Sequence, residues 1–463
     1  MGVAVSGWRL ANAVARAGHL GVVSASMLDT VVVRQLQDGD PGGHIRRAAA
    51  AFPIPGAADE IIRRYHRPDG REPGEKYHAL PIYKQQVSAA RDRVTMFAAF
   101  VEVTLAKERC SGPVGVNLLT KVQLPNLASL YGAMLAGVDY VLMGAGIPRE
   151  IPGVLDAFAE HRPARMRFDV AGSSRDETEY LTFDPRDHWP AQSTSLRRPR
   201  FLAIVSAASL AANLIRKSTG SVDGFIIEAA TAGGHNAPPR GPLQLDARGQ
   251  PVYGARDVVD LDEMTALGVP FWLAGGVGSP EGLDGALRAG ARGIQVGTLF
   301  AYADESGIAP EIKRRVIEAV EAGEASIFTD PRASPTGYPF KVVEVPGRFG
   351  ASSPRERVCD LGYLRVAARL PNGRLVYRCP AEPVDAYVAK GGDVADTVGR
   401  QCLCNGLTAT IGLGQLRGNE REPALVTSGD SLLELGRFLG GRAAYWAADV
   451  IEYLIGDSTA GSN

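Results

Sequence analysis

Seven short apolar runs with helical segments between them predict an α/β fold, a TIM (β/α)8-type barrel with helical insertions and a C-terminal α-rich extension. Two further observations point the same way. The apolar run 224–229 is followed by a glycine pair and a histidine, at the strand end where barrel enzymes display their chemistry. Residues 271–298 then read strand, glycine loop, helix, strand, glycine loop.

The strand candidates are 20–24, 114–118, 140–143, 201–205, 225–228, 271–274 and 293–296. An eighth strand should come first, but residues 1–6 hold only the end of one. A barrel missing one strand leaves two unpaired edges, so either the reading frame begins late or the first strand is atypical and partly open. Residues 25–112 form an insertion with helical segments at 31–37, 44–51, 57–65 and 85–108, read as a cover over the site or an oligomer contact. Residues 164–200 form a second insertion, in which MRFDVAG and EYLTFDP predict a β-hairpin with a polar loop at 173–177. His188, Trp189 and the arginines of 197–200 after it are read as exposed linker. The barrel is thus expected over 1–330 and the extension over 331–463. In the extension, RASPTGYPFK at 332–341 is a turn-rich connector able to fold back over the barrel mouth. Helical periodicity over 430–439 and 442–455 predicts helices against the barrel flank, and 457–463 is a polar tail expected to fray.

Composition narrows the class. In 463 residues, 45% hydrophobic content supplies a large core, and a net charge of −1 gives no general attraction to nucleic acid or anionic membrane. The longest apolar helix candidate, 94–106, contains Glu102 and is too short to span a bilayer. Arg9 and Arg16 interrupt the early apolar segment, so no secretory signal is read and a cytoplasmic location is the default expectation.

The chemistry centres on His235. An isolated histidine is more often a hydrogen-bonded core or loop residue, but Gly233 and Gly234 in front of it allow a tight turn or close approach to a flat ligand. About forty residues downstream, Gly275, Gly276 and Gly278 form one loop, and Gln295, Gly297 and Thr298 close the next unit. Backbone N–H groups in two successive loops of this kind, with a helix N-terminus behind them, hold a phosphate dianion.

These motifs together resemble the nitronate monooxygenase family, formerly 2-nitropropane dioxygenases. AGGH lies at 232–235, AGG at 274–276, QVGT at 295–298, GVAVSGWRLANAVARAGHLGVVS at 2–24 and PVGVNLL at 113–119. The resemblance covers roughly residues 2–340 and extends to the related FMN-dependent enoyl-thioester reductases of fatty acid and polyketide synthases. It implies FMN as cofactor, with Asn117, Gly233, Gly234, Gly275, Gly276, Gln295, Gly297 and Thr298 binding it. His235 becomes the catalytic acid or base, although it could instead only hydrogen-bond the cofactor. The implied reaction is oxidation of alkyl nitronates with O2 to a carbonyl compound and nitrite, without a metal. In the reductase alternative NAD(P)H is the electron donor, hydride goes to the β-carbon of an enoyl thioester, a proton to the α-carbon, and an acyl-carrier protein is a partner. A non-catalytic flavin-binding subunit is a third reading. One departure stands out. The family usually follows AGGH with one residue and a glycine, whereas Asn236-Ala237-Pro238-Pro239-Arg240 stands here and looks more like the reductases. Arg240 is read as a phosphate partner or as a surface residue.

Four of the five cysteines, Cys359, Cys379, Cys402 and Cys404, lie within forty-six residues. In a cytosolic protein such clustering suggests a zinc or iron–sulfur site, but the spacing lacks paired C-x2-C knuckles, and buried free thiols are common. Cys110 is read as structural.

Overall fold

The computed structural model describes residues 2–173, 177–190, 194–347 and 356–456. Its centre is a seven-stranded all-parallel sheet in sequential order. Every expected strand is present: β1 (Gly21–Ser24), β2 (Val114–Leu119), β3 (Tyr140–Gly144), β7 (Arg200–Val205), β8 (Gly224–Glu228), β9 (Phe271–Ala274) and β10 (Ile294–Gln295). Between β3 and β7 lie β4 (Ala164–Phe168), β5 (Val170–Ala171) and β6 (Glu179–Phe183), of which β4 and β6 pair antiparallel as the expected hairpin. Most of that hairpin's polar loop, like the tail 457–463, lies outside the described residues.

Parallel strands need crossover helices, and the chain supplies them. In order these are α1 (Trp8–Arg16), α2 (Leu28–Gln37), α3 (His44–Ala49), α4 (Ala57–Tyr65), α5 (Ala89–Ala106), α6 (Asn126–Leu135), α7 (Ile151–Ala159), α8 (Ala208–Lys217), α9 (Leu261–Ala266), α10 (Pro280–Arg288), α11 (Thr298–Ala301) and α12 (Pro310–Glu321). Helix α5 is buried on most of its faces because it is apolar almost all round, and it packs between α1 and α6 in the ring outside the sheet. Its one buried carboxylate has a task. Helix α1 has no side-chain cap of its own, and the Trp8 N–H at its start donates to Glu102 Oε2 at 2.9 Å.

The barrel is open at one seam. Residues 2–6 form turns rather than a strand, yet they cover the β1 edge: Ser24 N–H donates to Ser6 O at 2.8 Å and Ser6 Oγ donates to Val22 O at 2.5 Å. At the other side of the seam the C-terminal helix α16 (Ala447–Ile455) packs on α1, α10 and α11. Inside the sheet, strand alternation points Val22, Leu142, Leu202, Ile226 and Trp272 at one another as an inner apolar layer. By the same alternation and register, Asn117, Glu228 and Gln295 point inward near the C-terminal ends of their strands.

The remaining elements are β11 (Ser326–Asp330), β12 (Phe340–Glu344), β13 (Val366–Arg369), β14 (Leu375–Arg378), α13 (Val384–Ala389), α14 (Leu403–Thr410), α15 (Leu435–Leu439) and α16 (Ala447–Ile455). Strands β11 and β12 pair antiparallel, and a second core joins Leu299, Tyr302, Val316 and Ile327 to Val343, Val426, Leu435 and Val450. A buried polar knot ties the first insertion to the extension. Asp29 accepts from Tyr83 OH at 2.7 Å and from Tyr363 OH at 2.5 Å, and pairs with Arg91 at 2.6 Å.

One expectation is narrowed and one corrected. No residue of 25–112 lines the cavity that the glycine loops share, so of the two roles expected for the first insertion, cover or oligomer contact, the first has no support from the cavity lining. His188 is not exposed linker, since its ring stacks on Phe183 at 5.1 Å and its side chain is 4% exposed.

Candidate active site

Three loops at the C-terminal ends of β8, β9 and β10 meet on one cavity of about 580 Å3, a size typical of cofactor sites. Of the residues expected to bind a cofactor, Gly233, Gly234, Gly275, Gly276, Gln295, Gly297 and Thr298 all line it. Asn117 does not; it is buried on β2 with its side chain turned into the barrel. Gly275 has to be glycine for two reasons. Its φ is +88°, and a Cβ there would lie 2.9 Å from the Ala232 backbone nitrogen. Gly233 is equally constrained, because a Cβ would come within 2.7 Å of Gly429 N.

That second contact reveals a wall the sequence reading missed. Residues 427–431 of the extension lie against the glycine loops. Gly234 N–H donates to Thr427 Oγ1 at 2.9 Å, Gly429 N–H to Thr298 Oγ1 at 3.1 Å, and Asp430 N–H to Thr231 O at 3.0 Å. Lys341 braces the same wall, reaching Asp430 Oδ1 at 2.7 Å and Thr329 Oγ1 at 2.9 Å. The signal in the sequence was the hydroxyl- and glycine-rich run TSGDS, too short to speak for itself.

His235 stands just past Gly234 and is held from the other side by the connector. Its backbone bridges to Phe340, Lys341 N–H donates to Gly234 O at 3.0 Å, and Asn236 N–H donates to Pro339 O at 2.9 Å. The connector 332–341 thus folds back onto the AGGH turn, although none of its residues lines the cavity. The imidazole packs edge-on to Phe340 at 4.9 Å, and Nε2 is hydrogen-bonded to Ser334 Oγ at 2.6 Å. Burial in this apolar surround pushes its pKa down from 6.5 to about 4, leaving it neutral at physiological pH. The Asn236 side chain donates to Ala232 O at 2.9 Å and so fastens the turn from within. Arg240 is exposed and bonds to the Ser206 carbonyl and, through its N–H, to Asp257 at 2.8 Å.

Two inward-facing groups complete the floor. Burial raises the Glu228 carboxyl to about 7, and Gln295 Oε1 is buried without a hydrogen-bond partner among the described residues. An orphaned acceptor, two glycine loops that exclude a Cβ and a helix N-terminus at α10 are a donor and acceptor set that fits FMN.

The cysteines are distributed differently from the metal-site expectation. Among the described residues no group of three or more Cys, His, Asp or Glu side chains is placed to hold a metal ion. Arg365 Nε–H donates to Cys359 Sγ at 3.3 Å. Cys402 Sγ accepts from Asn405 Nδ2, while Cys379 and Cys404 are buried. Cys110 Sγ accepts the Gly112 N–H at 3.3 Å, a local turn contact. No helix among the described residues is long and apolar enough to cross a membrane.

Residues 102–330 match the nitronate monooxygenase family. A probable nitronate monooxygenase of Bacillus subtilis is 30% identical over 119 residues, which is 26% of this chain and 33% of that protein. The nitronate monooxygenase of Pseudomonas aeruginosa is 26% identical over 243 residues, 52% of this chain and 58% of that protein. The chain thus spans from a third to somewhat over half the length of these relatives. FabK from Thermotoga maritima superposes with a TM-score of 0.46 at 14% identity, over 97% of this chain and 88% of that one.

Proposed function

We propose that the protein, whose residues 102–330 match the nitronate monooxygenase family, is an FMN-dependent oxidoreductase that oxidises alkyl nitronates with O2 to a carbonyl compound and nitrite. The observation that carries this reading is the meeting of three glycine-bearing loops on one cavity, with a histidine directly after the Gly233-Gly234 pair that lines it.

FMN, when bound, supplies the redox chemistry. The chain does the rest. Backbone N–H groups of the loops 275–278 and 297–298 would hold the phosphate, and Gln295 Oε1 would accept from a donor on the bound group. His235, neutral and oriented by Ser334, takes a proton from the carbon bearing the nitro group when the substrate arrives as the parent nitroalkane. Tyr338 and Phe340 bound the imidazole on its apolar side.

The FMN-dependent enoyl-thioester reductase alternative would use the same loops and the same histidine, and the electron donor separates the two readings. With FMN-loaded protein and an alkyl nitronate, oxygen uptake and nitrite release are the expected result. If the nitronate consumes no oxygen while NAD(P)H bleaches the flavin and an enoyl thioester is reduced, the reductase reading replaces it. Inertness in both assays points to a flavin-binding subunit.

A further inference from the structure

The wall at 427–431 belongs to the C-terminal extension, outside the residues 102–330 that match the family, yet it lines the same cavity as the glycine loops. It is rich in hydroxyls. Thr427, Ser428 and Ser431 stand on the cavity together with Thr298 at the start of α11. A hydroxyl has one O–H donor and two lone pairs, so its partners decide what it has left to offer. Thr427 Oγ1 accepts the Gly234 N–H at 2.9 Å, and Thr298 Oγ1 accepts the Gly429 N–H at 3.1 Å. Both accept from backbone, which leaves each its own O–H to donate.

Ser428 is different. The residue is 4% exposed and its Oγ is buried; Tyr302 OH faces it, yet neither oxygen has a partner in hydrogen-bonding geometry among the described residues. A buried hydroxyl left unpaired costs stability, and a bound ligand that accepts from it removes the cost. The wall is also held in place. A Cβ at Gly429 would lie 2.8 Å from Thr231 O and 3.0 Å from Thr298 Oγ1, so this backbone runs as close to the loops as a glycine permits. The neighbouring Asp430 carboxylate would repel an anion, but Lys341 Nζ binds its Oδ1 at 2.7 Å and offsets the charge.

We propose that the extension completes the phosphate end of the flavin site, with the Ser428 hydroxyl binding the FMN phosphate and the Gly429 N–H positioning the Thr298 hydroxyl to do the same. This rests on the flavin reading of the cavity given above. A hydroxyl that donates to a phosphate dianion makes a charge-assisted bond, roughly twice as strong as one to a neutral oxygen. Ser428 and Thr298 therefore discriminate FMN from riboflavin, which ends in a neutral hydroxyl. Selectivity for the phosphorylated cofactor is thus set in part by a segment that lies nearly a hundred residues beyond the family match.

The test uses full-length protein stripped of flavin, titrated in parallel with FMN and with riboflavin by flavin fluorescence, with the melting temperature recorded in the absence of ligand. Ser428→Ala should weaken FMN binding by about 10- to 100-fold and leave riboflavin within about threefold of wild type. Because the hydroxyl removed is unpaired, the unliganded variant should melt no lower than wild type. Thr298→Val should show the same selective loss of FMN. The proposal is overturned if Ser428→Ala keeps the wild-type ratio of FMN to riboflavin affinity. It is equally overturned if both flavins weaken together while the melting temperature falls, the signature of a wall that is only structural. Wild-type protein that binds riboflavin as tightly as FMN also overturns it, whereas wild-type protein that binds neither removes the flavin reading itself and this proposal with it.

Discussion

Gly275→Ala probes the flavin site through the backbone alone. An alanine at φ +88° carries roughly 1–2 kcal/mol of left-handed strain. Its Cβ would also stand 2.9 Å from Ala232 N and 3.1 Å from Ala229 O, both backbone atoms that cannot swing aside. Overpacking of this kind costs about 1–3 kcal/mol, so the loop is expected to relieve about 2–4 kcal/mol by moving away from its present position. If that position is what holds the phosphate, FMN affinity falls by a factor of about 30 to 1,000. Fluorescence titration of apoprotein with FMN measures this directly, since bound flavin is quenched or shifted. Gly285→Ala on α10 is the control, because a Cβ there meets nothing within 4 Å and should stabilise the helix by about 0.5–1 kcal/mol. Unchanged FMN affinity and thermal stability in Gly275→Ala would refute the reasoning.

Three other outcomes follow from the geometry. Ser334→Ala removes the hydroxyl 2.6 Å from His235 Nε2 in a fully buried position, so kcat/KM for the nitro substrate should drop about 5- to 150-fold, the equivalent of 1–3 kcal/mol, while FMN binding is retained. Asp29→Asn leaves Arg91 without its counter-charge between Tyr83 and Tyr363; chemical denaturation should show a loss of about 3–5 kcal/mol. Burial holds His235 neutral, so the unfolded chain binds more protons than the folded one as pH falls from 6.5 to about 4. His235's contribution to stability is therefore complete above pH 6.5 and lost on acidification through that window, which His235→Asn should abolish in acid-denaturation curves.

The strands were legible because buried parallel strands are written as continuous apolar runs, and all seven lie within a residue or two of where those runs put them. The glycine loops were legible too, since their spacing follows strand and helix lengths. What escaped was long-range. Gly234 and Thr427 are 193 residues apart, and nothing in TSGDS announces that it will close on the AGGH turn. Ser334 was seen only as part of a turn-rich connector, and Glu228 as the end of a strand, because a side chain's partner across the fold leaves no local trace. The cysteines teach the converse. Proximity along the chain suggested four metal ligands, and what it could not show is that Arg365 Nε–H donates to the first of them, Cys359 Sγ, at 3.3 Å. Of the two readings of Arg240, phosphate partner or surface residue, the structure shows it exposed and bonded to a neighbouring carbonyl, while Asn236 fastens the turn.

The central claim is that His235 works as a neutral base at a flavin site, and the pH profile of kcat/KM tests it most directly. With FMN-loaded protein and a neutral nitroalkane, oxygen uptake should show no loss between pH 7 and 5, fall only as the solution approaches pH 4, and lose its base dependence in His235→Asn. An acid limb at the ordinary histidine value of 6.5, or a profile that His235→Asn leaves intact, would contradict the account.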